Sequence, residues 1–274
     1  MIRDKLWTRI IKYFLMALIS LIWISPLYIL LSVSLKPATD LSSRWIFPLH
    51  PYLENYRIAL EKGNLLRALN NTAVVTLAAS AIVICAGSFA AYPLARNRSR
   101  FNKGVHRFIM GIMMIPPLSI LVPLYKTMTE IGAVSTLLGE ILVVATFQLP
   151  LSIYLFTNFI AAIPSALDDA ASIDGCSPAK RFFLIILPQL TPVCATVIII
   201  AGSSFWNDYQ FAGYLLQRPR LQTITLAISG FFDLYSSNLN AAAAAALLSI
   251  LPLIILYLFL QKYFVQSMVD SAIK

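Results

Sequence analysis

The chain has 274 residues and a mass of 30.4 kDa; 59% of its residues are hydrophobic, 12% are charged, and its mean hydropathy is +0.77. Soluble domains run at about 45–50% apolar and about 25% charged, so this chain has too little charge to cover a water-facing surface, which argues against a soluble enzyme, a nucleic-acid binder and a disordered protein. Its 21 basic and 12 acidic residues leave a net charge of +9, an excess that membrane proteins concentrate in cytoplasmic loops.

Six windows free of Asp, Glu, Lys and Arg are long enough, as helix, to cross a hydrocarbon core that needs roughly 20 residues: 13–35, 69–95, 108–125, 141–165, 182–207 and 241–261. Their apolar runs are continuous rather than alternating, which disfavours membrane strands. Arg3, Lys5, Arg9 and Lys12 precede the first window as they would a signal peptide. The window is too long for a signal core, and 31–37 has no small-x-small cleavage pattern, so a retained helix is expected. The N-terminal segment holds four basic residues against Asp4, and the loop after the second window holds Arg96, Arg98, Arg100, Lys103 and Arg107 with no acid. Both therefore read as cytoplasmic. Segments 36–68 and 208–240 then face outward, and both termini lie in the cytoplasm.

The chemistry of a self-powered machine is missing. No glycine precedes a lysine, so there is no Walker phosphate loop. His50 and His106 are isolated, and Cys85, Cys176 and Cys194 form no CxxC pair, which disfavours catalytic, metal and disulfide readings. No window holds the ionisable group that coupled carriers usually need. Pro116, Pro117 and Pro123 interrupt the third window, Pro150 the fourth, and Pro188 and Pro192 the fifth. Such breaks either line a cavity or only set packing. Gln148 and Asn158 either face a polar path or bond a neighbouring helix, the second being favoured, and the alanine run 241–246 suits close helix approach.

The segment between the fourth and fifth windows reads Pro164-Ser165-Ala166-Leu167-Asp168-Asp169-Ala170-Ala171-Ser172-Ile173-Asp174-Gly175-Cys176-Ser177-Pro178-Ala179-Lys180-Arg181. Ser165 can cap a helix, with Asp168 completing a shortened capping box. Asp168 and Asp169 suit the positive end of its dipole. Gly175 can take positive φ and end that helix. Ser177 can cap a second helix with Pro178 at its first position. A helix, a sharp turn and a helix running into a membrane span can transmit a push from a partner; an ordinary capped connector has the same local signals.

This segment resembles the EAA loop of permease subunits from ATP-binding-cassette importers, whose pattern is E-A-A, three residues, G, nine residues, I-x-L-P. Asp169, Ala170, Ala171, Gly175, Ile185, Leu187 and Pro188 stand at the matching places, with Asp169 where the family usually has Glu. Further motifs are similar to the carbohydrate branch and its smaller, maltose-type permease: Ser34-Leu35-Lys36-Pro37, Asn55-Tyr56, Asn71-Thr72, Ala90-Ala91-Tyr92-Pro93-Leu94-Ala95-Arg96, Trp206-Asn207-Asp208 and Gln261-Lys262-Tyr263-Phe264-Val265. Pro93 replaces the usual Ala. Ser267 and Ser271 replace glycines in the tail, which in the family approaches the ATPase.

The resemblance implies an all-α membrane protein of the type I importer permease fold, with six transmembrane helices in a bacterial inner (cytoplasmic) membrane. Its expected domains are 1–68, a first helix and outer loop; 69–264, a five-helix transmembrane domain with the coupling loop 164–188; and 265–274, a tail. The implied function is the permease subunit of a binding-protein-dependent sugar importer. Its partners would be a second homologous permease, an ATPase dimer, an extracytoplasmic solute-binding protein and the lipid membrane, with no nucleic acid. ATP and magnesium would sit on the ATPase, with no cofactor, metal or catalytic residue on this chain. The implied coupling residues are Asp168, Asp169, Ala170, Ala171, Asp174, Gly175, Lys180 and Arg181; the candidate pathway or outer-gate residues are Gln148, Trp206, Asn207 and Asp208. Segment 208–240, with Trp206, Tyr209, Phe211, Tyr214, Phe231, Phe232 and Tyr235 and a tip at Gln217 to Arg220, is expected to meet the binding protein; the favoured alternative for its aromatics is membrane anchoring. The same fold importing glycerol phosphate, a polyamine or an amino acid is the alternative; a self-contained channel or carrier is a more distant one.

Overall fold

A computed structural model describes residues 6–97, 99–232 and 238–272, and among them all regular structure is helical. In chain order the helices are α1 (Leu6–Ser34), α2 (Glu54–Glu61), α3 (Leu65–Arg96), α4 (Arg100–Ile112), α5 (Leu121–Glu130), α6 (Leu137–Ala162), α7 (Ala166–Ile173), α8 (Pro178–Arg181), α9 (Leu187–Gln189), α10 (Thr191–Trp206), α11 (Gln210–Leu215), α12 (Ile224–Ser229) and α13 (Leu239–Ala272).

Four helices, α1, α3, α6 and α13, are each long and apolar enough to cross a bilayer. They correspond to the first, second, fourth and sixth predicted windows. The third and fifth windows are broken. After α4 the chain turns, and Pro117–Ile120 leads into α5 at 92° to it. Pro117 supplies no amide donor and forces Pro116 into the extended region at ψ 128°, which no helix can run through. The fifth window bends by 72° between Pro178–Gln189 and Thr191–Leu215. Pro188 and Pro192 flank this bend, and a π-type turn over Phe182–Ile186 precedes it. Six spans are reached only if each bent pair counts as one.

The chain divides into two compact units, Met1–Leu65 with Ala227–Leu251, and Leu66–Leu226 with Pro252–Lys274. In the first, the end of α1 leaves carbonyls that its own helix cannot satisfy. Two asparagines supply the donors. The Asn55 amide bonds the Ser34 and Lys36 carbonyls, each at 2.8 Å, and the Asn240 amide bonds those of Val33 and Lys36 at 3.0 and 2.8 Å. Lys36 turns inward, its ammonium on the Ser42 hydroxyl and the Ser43 carbonyl at 2.7 and 2.8 Å. The motif residues Ser34, Lys36, Asn55 and Tyr56 are thus one hydrogen-bonded corner, closed by a 2.8 Å contact between the Ser34 and Tyr56 hydroxyls. Ala241 to Ala245 are buried, as close helix approach requires.

The second unit packs α3, α6 and α10 around a core that includes Val83, Phe156, Ile160, Ile186, Leu190 and Phe205. Cys194 packs against this core, whereas Cys85 is exposed; all three cysteines are free thiols. Helix α6 starts one turn before the predicted window because the Thr136 hydroxyl accepts from the Gly139 amide at 3.0 Å and nucleates the helix there. This brings Glu140 inside α6, correcting the expectation that the spans carry no acid. Glu140 is 1% exposed. Its carboxyl meets the Asp208 side chain.

Two outcomes are expected. Asn55→Ala removes a buried donor from the end of α1 and costs about 1–3 kcal/mol; an unchanged melting temperature in detergent would show that water replaces it. Glu140→Ala removes a side chain buried beside Asp208 in the first turn of α6 and leaves a cavity, so the melting temperature should fall; an unchanged value would show that the site closes over the loss.

Candidate functional site

Helix α7, the turn after it and α8 form the segment in which the acidic and alanine residues cluster. The turn follows from local sequence. Gly175 has φ +78°, its amide bonds the Ser172 carbonyl at 3.1 Å, and the Cys176 amide bonds that of Ala171 at 2.9 Å. These are the two bonds of a Schellman motif. A Cβ on Gly175 would meet nothing within 4 Å, so glycine is needed for its backbone angle alone. Ser177 then caps α8 by accepting from the Lys180 amide at 3.4 Å, with Pro178 at the first position.

The start of α7 differs from expectation. Ser165 has helical dihedrals and makes no capping bond, so the predicted capping box is absent. The Asp168 carboxylate points the other way, into the protein, where stronger partners draw it. One oxygen accepts from the Tyr92 hydroxyl at 2.5 Å, and the other stands 2.9 Å from the Arg96 guanidinium. Arg96 also donates to the Ile160 and Ile163 carbonyls at 3.0 and 2.8 Å, capping the C-terminal end of α6. One guanidinium in the last turn of α3 therefore holds α6 and α7 together. A second tie runs from Arg181 to the Ser172 hydroxyl at 2.7 Å, and from that hydroxyl to the Asp168 carbonyl at 2.9 Å.

Helical geometry separates the two neighbouring acids. Successive residues are about 100° apart around a helix, so with Asp168 inward, Asp169 points away. Asp168 and Ala171 are buried, while Asp169, Ala170, Asp174, Gly175 and Lys180 are exposed and Arg181 is half-buried. Ile173, on the same face as Asp169 and Ala170, is 87% exposed. A bare isoleucine flanked by two carboxylates on a short rigid helix is a surface suited to a protein partner. Ile173, Tyr92 and Arg96 escaped sequence reasoning. For Arg96 the available signal was an arginine closing an apolar helix in a loop without acids, which leaves its counter-charge to come from elsewhere in the fold.

The candidate pathway residues do not share one face. The Gln148 amide bonds the Ser204 hydroxyl at 2.7 Å, joining α6 to α10, and Asn158 is exposed. Trp206 is buried; Asn207 is exposed and donates to the Ser203 carbonyl at 2.8 Å. Asp208 caps α11 by accepting from the Ala212 amide at 2.9 Å. The segment beyond is tied back to α3. The Asn71 amide bonds the Arg220 and Gln222 carbonyls at 3.1 and 3.0 Å, and the Thr72 hydroxyl accepts from the Ile224 amide at 2.8 Å. Phe211 is buried and stacks on Phe147 at 4.6 Å. Tyr209, Tyr214 and Phe232 are exposed, as are Gln217 to Arg220, Phe231 is half-buried, and Tyr235 lies outside the described residues.

Comparison with known proteins gives this geometry a context. Residues 83–270 match the family described as binding-protein-dependent transport system inner membrane component. The melibiose/raffinose/stachyose import permease protein MelC of Bacillus subtilis is 43% identical over 91% of each chain. A probable starch degradation products transport system permease, AmyC of Thermoanaerobacterium thermosulfurigenes, is 31% identical over 95% of each. Among solved structures, a bacterial ABC transporter involved in the import of the acidic polysaccharide alginate superposes with a TM-score of 0.81 at 21% identity, covering 96% of this chain and 98% of its own.

Arg96→Gln leaves the mostly buried Asp168 without its counter-charge and two α6 carbonyls without a donor, and should cost about 3–5 kcal/mol. Asp168→Asn should cost less, because its carbonyl can still accept from Tyr92. Thermal unfolding of the two variants in detergent checks the order; equal melting temperatures would mean that the ion pair does not hold α7.

Proposed function

This chain belongs to the family of binding-protein-dependent transport system inner-membrane components, and we propose that it is the permease subunit of an ATP-driven importer of an oligosaccharide. The observation that carries the reading is the exposed face of α7, with Asp169, Ala170 and Ile173 outward and Asp168 locked inward. A helix held on one side by a buried ion pair and bare on the other transmits displacement rather than absorbing it. The similarity to permeases named for melibiose, raffinose and stachyose import and for starch degradation products supports a sugar as cargo.

In this reading the fold makes six crossings of a bacterial cytoplasmic membrane, the two bent pairs each counting as one, with both termini inside. A second homologous permease completes the pathway, two ATPase subunits bind ATP and magnesium, and an external binding protein delivers the sugar. The ATPase docks on α7, the Gly175 turn and α8. Nucleotide and loaded binding protein each favour the same one of two transporter states, and that shared preference couples them. Because Arg96 joins the ends of α3 and α6 to α7, a push on Asp169 and Ile173 moves both spans as one body. Tyr209, Tyr214 and Gln217 to Arg220, which are exposed, are the face offered to the binding protein.

Gly175→Val tests the docking element. A β-branched residue at φ +78° is strained by about 1–3 kcal/mol, although nothing obstructs the side chain. The expected outcome is that an ATPase and a second permease co-purify with the wild-type chain from solubilised membranes, and that the variant loses the ATPase and oligosaccharide uptake. A wild-type chain that purifies alone as a homo-oligomer would overturn the importer reading. A variant that retains the ATPase and transports normally would overturn only the docking site.

A further inference from the structure

We propose that a pocket between the end of α3, α4 and the last turns of α6 binds a phosphate group, carried by an anionic phospholipid or free in solution. The pocket has a volume of 290 Å³ and is lined in part by Asn97, Asn102, Lys103, His106, Arg107 and Thr157. No acid lines it, and among the described residues neither Lys103 nor Arg107 makes an ion pair. Two cations facing one cavity repel each other, and an anion between them removes the repulsion.

The Thr157 hydroxyl is a second, independent sign. Thr157 is 7% exposed, lines the cavity, and its oxygen has no hydrogen-bond partner among the described residues. Buried hydroxyls are ordinarily hydrogen-bonded, and a phosphate oxygen accepts the bond that the protein does not. Asn102 spends its amide hydrogens on the Pro93 and Asn97 carbonyls. These bonds fix α4 against the end of α3 and so shape the pocket without filling it. The volume equals that of about ten waters, ample for a phosphate and part of its attached group.

The position suits a headgroup. Thr157 lies five residues before the end of α6, about 8 Å along the axis at 1.5 Å per residue, which is interfacial depth for a spanning helix. Helix α4 is amphipathic. At 100° per residue, Phe101, Val105, Phe108, Ile109 and Ile112 fall within an arc of about 100°, and Lys103 and Arg107 lie opposite. Phe101 and Phe108 are 78% and 69% exposed, an apolar face available to acyl chains, as in helices that lie in the membrane surface. Basic pockets between membrane helices hold anionic headgroups in this way. The inference needs only that α3 and α6 span a membrane; it does not depend on the cargo, on ATP, or on which face is cytoplasmic.

The test uses the full chain with the partners it retains, reconstituted in nanodiscs of phosphatidylcholine with or without phosphatidylglycerol, and counts bound lipid by native mass spectrometry. Phosphatidylglycerol should be retained in preference to phosphatidylcholine. The double variant Lys103→Gln/Arg107→Gln should weaken that retention roughly 25-fold, about 1 kcal/mol per basic residue at 1.4 kcal/mol per tenfold. Thr157→Val should weaken it by a smaller factor, and Lys103→Arg should preserve it, which separates loss of the site from loss of the fold. Displacement of the lipid by inorganic phosphate, with the same dependence on these residues, would assign the pocket to a soluble phosphate compound. Equal retention by the wild type and the double variant would overturn the proposal. Retention is read without nucleotide or sugar, so a failed importer assignment and a failed phosphate site give different results.

Discussion

In a chain this apolar the governing constraint is that every backbone amide and carbonyl must find a partner inside the protein. Within a helix it does so automatically; at a helix end it does not. The side chains that organise the molecule are those that solve this problem. Asn55 and Asn240 serve the end of α1, Arg96 the end of α6, Asp208 the start of α11, and Asn71 and Thr72 the irregular chain around residues 220–224. Each lies in or beside a short polar motif between apolar runs. Such motifs read as loops in a hydropathy profile, but here they are the joints.

Arg96 shows how one joint orients a neighbouring helix. Capping α6 requires one guanidinium near two carbonyls. The charge then needs a counter-charge, because an unpaired charge in a mostly buried place is costly. Asp168 meets that need and in doing so fixes the rotation of α7 about its axis. Asp169, Ala170 and Ile173 are exposed as a consequence. The outward surface of α7 is thus set from the inside, by the position of one arginine on another helix.

The proline breaks concern the other side of the same constraint. Pro116 and Pro117 separate α4 from α5, and Pro188 and Pro192 flank a π-type turn in the fifth window. Two of six apolar windows are therefore bent rather than straight. In the first case the bend ends an amphipathic helix, α4, whose basic residues line the pocket proposed to hold phosphate. A charge-free window shows that a segment tolerates hydrocarbon; whether it crosses in one piece depends on where its freed carbonyls find donors.

Much of the molecule was legible in the amino-acid order. Helical class, the approximate positions of α1, α3, α6 and α13, the Gly175 turn and the Ser177–Pro178 cap all rest on interactions within a few residues, where periodicity, a φ preference or a missing amide decides the outcome. What depended on residues distant in sequence was not legible. The sequence placed Asp168 in a local capping box, yet its partners lie 72 and 76 residues earlier, at Arg96 and Tyr92. Glu140 was counted outside a span until Thr136 drew the helix one turn upstream. Trp206 and Phe211 were expected to meet a partner or the membrane surface and are buried. Local chemistry set which segments become helix and where they stop. Which way each side chain faces was decided only when helices far apart in the chain came together, because burial and ion pairing outweigh a single local hydrogen bond.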